Sequence, residues 1–116
     1  MLITFCKSKI AHGRITQAEL YYEGSITIDE AILSAAGILP GEKVEVLNIN
    51  NGNRLETYVI AGKAHSGQMC LNGPAARLGY VGDKLIILSY VLVTQDEARG
   101  LKVKAIYLDD ANKIKA

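Results

Sequence analysis

The stretch with chemical potential is Tyr21-Tyr22-Glu23-Gly24-Ser25-Ile26-Thr27-Ile28-Asp29. Gly24 has no side chain, so its carbonyl can be approached closely and its backbone can take dihedrals that other residues avoid. Ser25 places a hydroxyl beside that carbonyl. The simplest reading of a Gly-Ser pair is a turn. Polar groups that the fold could bring together are Lys9, Arg54, Thr57, Tyr58, Asn72 and Gly73. Each also has an ordinary reading, as a solvated lysine, a charge after a hairpin or a helix cap.

Positioning these groups falls to a chain of 116 residues, the size of one domain with its own core. Hydrophobic residues make up 49% and charged residues 22%, a balance that argues against disorder. The formal net charge of +1 gives no electrostatic footprint for nucleic acid. No apolar run reaches the length of a membrane span, and Met1 to Lys7 lacks the features of a signal peptide. A cytoplasmic location is expected. Cys6 and Cys70 read as small hydrophobes of a reducing compartment, and with His12 and His65 isolated no metal site is expected.

Strand signals dominate. Met1 to Lys9 reads as a first strand, Ala11-His12-Gly13 interrupts it, and Gly13 to Leu20 reads as a second. Ser25 to Ile28 is a short strand before a helix over Glu30 to Ala36, with Thr27 or Asp29 as its N-cap and Gly37 ending it. Lys43 to Ile49 and Arg54 to Ala61 form a hairpin about Asn50-Asn51-Gly52-Asn53. Alternation along the returning strand puts Arg54, Glu56 and Tyr58 on one face and Thr57 on the other. Beyond a loop over 62–67, Gln68 to Leu71 is a strand and residues 72–77 a brief helix with Pro74 in its first turn. Lys84 to Val93 is the most apolar strand, Gln95 to Arg99 one helical turn, and Lys102 to Leu108 a last strand, with the polar tail from Asp109 expected to fray.

Gly37 to Leu47 echoes Leu78 to Leu88, each a Gly-acidic-Lys turn leading into an apolar strand after a short helix. Two such units imply a pseudo-symmetric fold, and many short strands with few helices point to a small closed barrel.

The combination of Lys9, Tyr22-Glu23-Gly24-Ser25, Asn51-Gly52-x-Arg54, Thr57-Tyr58 and Asn72-Gly73 resembles the bacterial aspartate 1-decarboxylase family, in order and spacing along nearly the whole chain. The resemblance implies a mainly β, double-psi β-barrel over residues 1–116 as a single domain, assembled as a homotetramer. It implies self-cleavage between Gly24 and Ser25 into 1–24 and 25–116, which converts Ser25 into a pyruvoyl group that forms a Schiff base with L-aspartate. The products would be carbon dioxide and β-alanine, a pantothenate precursor. On the same footing, Thr57 and Tyr22 would support cleavage, and Tyr58 would act as proton donor. Lys9, Arg54, Thr57, Asn72, Gly73 and Ala75 would bind substrate, and a maturation factor could take part. The chain departs from the family where Ala11 precedes His12, at Pro74 and at Arg77. Residues Gly24 to Val46 also resemble swapped-hairpin transcriptional regulators that bind DNA, although Asp29 and Glu30 stand where phosphate contacts would need positive charge. An uncleaved, inactive relative acting as an interaction module is a third reading.

Overall fold

A computed structural model describes residues 1–115. The elements in order are strands β1 (Leu2–Arg14), β2 (Gln17–Glu19) and β3 (Ser25–Asp29), helix α1 (Glu30–Ala36), and strands β4 (Lys43–Asn48), β5 (Arg54–Gly62) and β6 (Met69–Asn72). A 3₁₀ helix (Gly73–Leu78), β7 (Lys84–Thr94), α2 (Gln95–Arg99) and β8 (Lys104–Tyr107) complete the chain. The hydrogen-bonded order is β2-β6-β3-β5-β4-β7-β1-β8. Because β1 runs on through Ile15 and Thr16 into β2, the ring closes: Ile15 N–H donates to Asp83 O and Thr16 N–H to Met69 O. Closure leaves the barrel without a free edge of its own.

The two echoing segments are the structural repeats. One unit is β2-β3-α1-β4 and the other β5-β6-3₁₀-β7, with β1 feeding the first. Every ladder of the barrel joins a strand of one unit to a strand of the other, with β3 parallel to β5 and β2 parallel to β6. This interlocked arrangement is a double-psi β-barrel. Val46 and Ile87 hold equivalent places in the two units and pair with each other in the β4–β7 ladder, so the internal two-fold passes through that pair. The turns match as well. Gly41 and Gly82 both take positive φ, +87° and +95°. The acidic residue after each bonds back, Glu42 to the Leu39 N–H and Asp83 to the Tyr80 N–H.

Inward positions fill the barrel with Ile10, Ile15, Ile26, Ile28, Val44, Val46, Val59, Met69, Leu71, Leu85 and Ile87. Each such side chain is worth roughly 1.5–3 kcal/mol of transfer free energy. The alternation expected on β5 is present: Arg54, Glu56 and Tyr58 are exposed, while Leu55, Thr57 and Val59 turn inward.

Three expectations need correcting. The interruption at Ala11-His12-Gly13 is a β-bulge and not a break; His12 takes φ +67°, the ladder with β7 skips a residue, and β1 continues to Arg14. The second strand shrinks to Gln17–Glu19. The tail from Asp109 is tied down over the described residues: buried Asn112 exchanges bonds with the Arg14 backbone and donates to Gly67 O at 2.8 Å. Ala116 lies outside the described residues.

Asp29, and not Thr27, caps α1. Its carboxylate accepts from the backbone N–H groups of Ala31, His65 and Gly67 at 2.8–2.9 Å, pinning the 63–67 loop to the strand that begins at Ser25. Burial alone would raise its pKa, but the Gly67, Ala31 and His65 N–H donors outweigh that and hold it below the ordinary aspartate value. A folded pKa below the unfolded one gives stabilisation that is complete above the unfolded value and is lost as pH falls through the folded value. Asp29→Ala should therefore cost about 1–3 kcal/mol at neutral pH. In denaturant titrations the gap between variant and parent should close as acid protonates the carboxylate.

Candidate functional site

The site sits where β3 begins. In the parallel β3–β5 ladder Ile26 pairs with Val59, so stepping back along both strands brings Ser25 abreast of Tyr58 and Gly24 abreast of Thr57. On the other side, the antiparallel β3–β6 ladder pairs Ser25 with Asn72. Two ladders thus fix Ser25 from both flanks, and its side chain is fully buried. The Ser25 hydroxyl donates to Glu23 O at 3.2 Å and accepts from Asn72 Nδ2 at 2.9 Å. Asn72 Nδ2 also donates to Thr27 Oγ1 at 2.9 Å, and Asn72 Oδ1 accepts from the Cys70 thiol at 3.2 Å. Burial pushes the Cys70 thiol pKa up and the Glu19 carboxylate adds to it, so the sulfur stays protonated at neutral pH.

Gly24 opens onto a cleft of ≈ 390 Å³ shared with Thr57, Tyr58, Pro74 and Ala75. Gly73 holds φ +65°, and a Cβ there would lie 2.5 Å from Tyr22 O and 2.9 Å from Gly24 N. The backbone of the 3₁₀ helix therefore presses directly on the Tyr22–Gly24 segment. Tyr22 contributes that carbonyl while its exposed ring lies along a second cleft with Thr27 and Asn72.

The chain thus brings together Tyr22, Gly24, Ser25, Thr57, Tyr58, Asn72, Gly73 and Ala75. It does not bring Lys9 or Arg54 to them. Arg54 lies four residues from Tyr58, roughly 13 Å along a strand, and its guanidinium is paired with Glu45 at 3.1 Å. Lys9 sits on β1 opposite Leu88, which faces Glu45 and then Glu56 across the sheet. That is three strand spacings from β5, roughly 14 Å. Both cations occupy the outer wall of the barrel. His12 points to solvent at the bulge. Among the described residues no group of three or more His, Cys, Asp or Glu could hold a metal ion, and no helix is long and apolar enough to cross a membrane.

A family model described as aspartate decarboxylase matches residues 1–115. The chain belongs to that family. An aspartate 1-decarboxylase of Clostridium beijerinckii is 55% identical over 115 residues, covering 99% of this chain and 93% of the relative. One of Caldicellulosiruptor saccharolyticus is 57% identical over 114 residues, covering 98% and 89%, and one of Salinibacter ruber is 50% identical over 98% and 78%. Among solved structures, a rationally designed protein titled mkDPBB_sym_86 aligns with TM-score 0.49 at 20% identity, over 70% of this chain and 94% of that one. Membership of the aspartate decarboxylase family makes the chain an enzyme of the carboxy-lyase class. It also covers the larger part of the chain, beyond Val46, that the likeness to DNA-binding regulators leaves unexplained.

Within that family frame, two residues at the site escaped the sequence reading. Cys70 and Thr27 read as an inert thiol and a possible cap. The available signal was the Cys70-x-Asn72 spacing, which puts both side chains on one face of a strand.

Proposed function

We propose that the chain cuts itself between Gly24 and Ser25 and then decarboxylates L-aspartate to β-alanine, a pantothenate precursor, with a pyruvoyl group made from Ser25. The observation that carries this is the fully buried Ser25 hydroxyl, held between Glu23 O and Asn72 Nδ2, next to a Gly24 that opens into a cleft with Thr57. A peptide bond is planar and resonance-stabilised, and an unactivated serine is a weak nucleophile. Backbone strain of about 1–3 kcal/mol does not suffice alone. One donor to the developing oxyanion adds about 2.7–4 kcal/mol, and Thr57 is the hydroxyl abreast of Gly24.

The atoms balance with water as the only co-reactant. Ser25 Oγ bonds to the Gly24 carbonyl carbon, the Gly24–Ser25 C–N bond breaks, and the hydroxyl proton ends on the Ser25 nitrogen. Water takes the Ser25 Cα proton, the Cβ–Oγ bond breaks, and Gly24 leaves as a carboxylate. The Cα=Cβ bond left behind takes up a proton at Cβ to give an imine, and a second water replaces its nitrogen, which departs as ammonia. The residues fit a group formed there: Gly73 leaves the space a side chain would fill, and the Asn72 amide already faces the converted residue.

Once formed, the group supplies an electrophilic carbonyl that engages the substrate amine and accepts electrons as carbon dioxide leaves. Tyr58, which lines the same cleft as Gly24, would serve as the general acid that returns a proton after carbon dioxide leaves. Ala75 lines the same cleft, and Asn72 and Gly73 beside it are assigned to the substrate on the same reading. Arg54 suits a substrate carboxylate because its planar fork matches two oxygens, and Lys9 adds positive charge. Since both project from the outer wall of their own barrel, this reading also calls for a homo-oligomer, a tetramer on the family's precedent, in which a neighbouring copy brings them to the cleft.

Intact mass spectrometry tests maturation. Purified protein, incubated at neutral pH, should resolve into residues 1–24 and a 25–116 chain blocked at its N-terminus. Protein that stays whole after prolonged incubation, with or without a cell extract to provide a maturation factor, would refute the proposal.

A further inference from the structure

We propose that the Cys70 thiol fixes the orientation of the Asn72 amide, and that this orientation serves the elimination step of maturation and not the attack that precedes it. The inference rests on the self-cleavage proposed above. Asn72 has three partners: its Nδ2 donates to Ser25 Oγ and Thr27 Oγ1, both at 2.9 Å, and its Oδ1 accepts from Cys70 Sγ at 3.2 Å. Thr27 Oγ1 is a hydroxyl that rotates to donate or accept and so tolerates the amide either way round, whereas the Ser25 proton is engaged by Glu23 O. A thiol is a weak acceptor and here a protonated donor. It is the one partner of the three that donates to the amide, and so marks its carbonyl end. The Cys70-x-Asn72 spacing on β6 puts both side chains on one face, and both are buried.

The orientation matters because the two covalent steps ask opposite things of Oγ. In the attack, Oγ gives an electron pair to the Gly24 carbon and must lose its proton. An N–H aimed at Oγ holds that electron pair and lends no help, whereas the proton already points toward Glu23 O. In the ester that results, Oγ is the atom that leaves. The Ser25 Cα proton passes to water, the Cβ–Oγ bond breaks, and the electron pair stays on Oγ, now an oxygen of the Gly24 carboxylate. A donor to that oxygen strengthens as the charge develops, since hydrogen bonds to ionised acceptors are about twice as strong as neutral ones. A flipped amide would set its carbonyl against the same charge.

Cys70→Ala and Cys70→Ser separate the donor from the volume, because both make the side chain smaller and only serine retains an X–H. Maturation is followed by intact mass, with hydroxylamine used to cleave any Gly24–Oγ ester to a Gly24 hydroxamate and a free Ser25 amine. Cys70→Ala should accumulate hydroxylamine-cleavable chain and form the blocked 25–116 fragment roughly tenfold more slowly. Cys70→Ser should mature at close to the parent rate, at a thermal midpoint similar to that of Cys70→Ala. Parent-like maturation of Cys70→Ala without ester build-up, or equal slowing of both variants, would overturn the role of Cys70 while leaving self-cleavage intact. A parent chain that never cleaves would overturn both together.

Discussion

Replacing Ser25 with alanine is expected to leave the chain whole indefinitely and to abolish carbon dioxide release from L-aspartate. The side chain removed supplies the nucleophile for cleavage and the carbon from which the catalytic carbonyl is made, so no partial function survives. The fold should tolerate the change, because Ser25 bonds to Glu23 O and Asn72 Nδ2 are neutral hydrogen bonds, worth about 0.5–1.5 kcal/mol each. Pairing of β3 with β5 and β6 does not involve the hydroxyl. Intact mass and a carbon dioxide assay on the same preparation decide it. A Ser25→Ala variant that cleaved, or that released carbon dioxide while whole, would remove the basis for a pyruvoyl mechanism, whatever its thermal stability.

How far such a site can be seen in the residues alone depends on which distances the chain has to close. Local rules carry Gly37 as the left-handed end of α1, the hairpin about Asn51-Gly52 and the alternation that turns Thr57 away from Arg54 and Tyr58, because each is set by neighbours a few positions apart. The repeat is equally legible, since the Gly41-Glu42-Lys43 and Gly82-Asp83-Lys84 turns meet the same steric need twice. What sequence pattern does not fix is the interlocking. That Thr57 meets Gly24 follows from the parallel β3–β5 register, a pairing between units that no local rule sets. Family resemblance groups Lys9 and Arg54 with Ser25, whereas the single chain holds them on the outer wall, with Arg54 paired to Glu45. The tail departs from expectation for the opposite reason. A polar run such as Asp109 to Lys115 is ordinarily solvated, but Asn112 finds buried backbone partners on Arg14 and Gly67, contacts remote in sequence.

Gly73→Ala is expected to stop maturation almost completely while costing only a modest amount of stability, a dissociation that would separate the cleavage geometry from the fold. Two penalties meet at this position. The residue holds φ +65°, where a Cβ is strained by about 1–2 kcal/mol. The added atom would also stand 2.5 Å from Tyr22 O, 2.9 Å from Gly24 N and 3.0 Å from Gly24 Cα, all backbone, which cannot swing aside as a side chain does. Either the 3₁₀ helix or the Tyr22–Gly24 segment must move by a large part of an ångström. The segment is the softer of the two, because Tyr21 and Tyr22 are exposed while Gly73 and Ala75 are buried against the barrel. Displacement there falls on the carbonyl that Ser25 must reach, and misplacement of reacting groups by about 1 Å commonly costs a hundredfold in rate. The expected result is a cleavage rate reduced at least about a hundredfold, against a loss of stability of about 1–3 kcal/mol in denaturant titration. Gly24→Ala provides the contrast: a Cβ there has only Pro74 Cδ within reach, at 3.6 Å, an ordinary contact. Its effect on cleavage should therefore be the smaller of the two. If Gly73→Ala matured at the parent rate, the close packing of residues 73 and 22–24 would have no part in setting up the cut, and Gly73 would be a turn residue only.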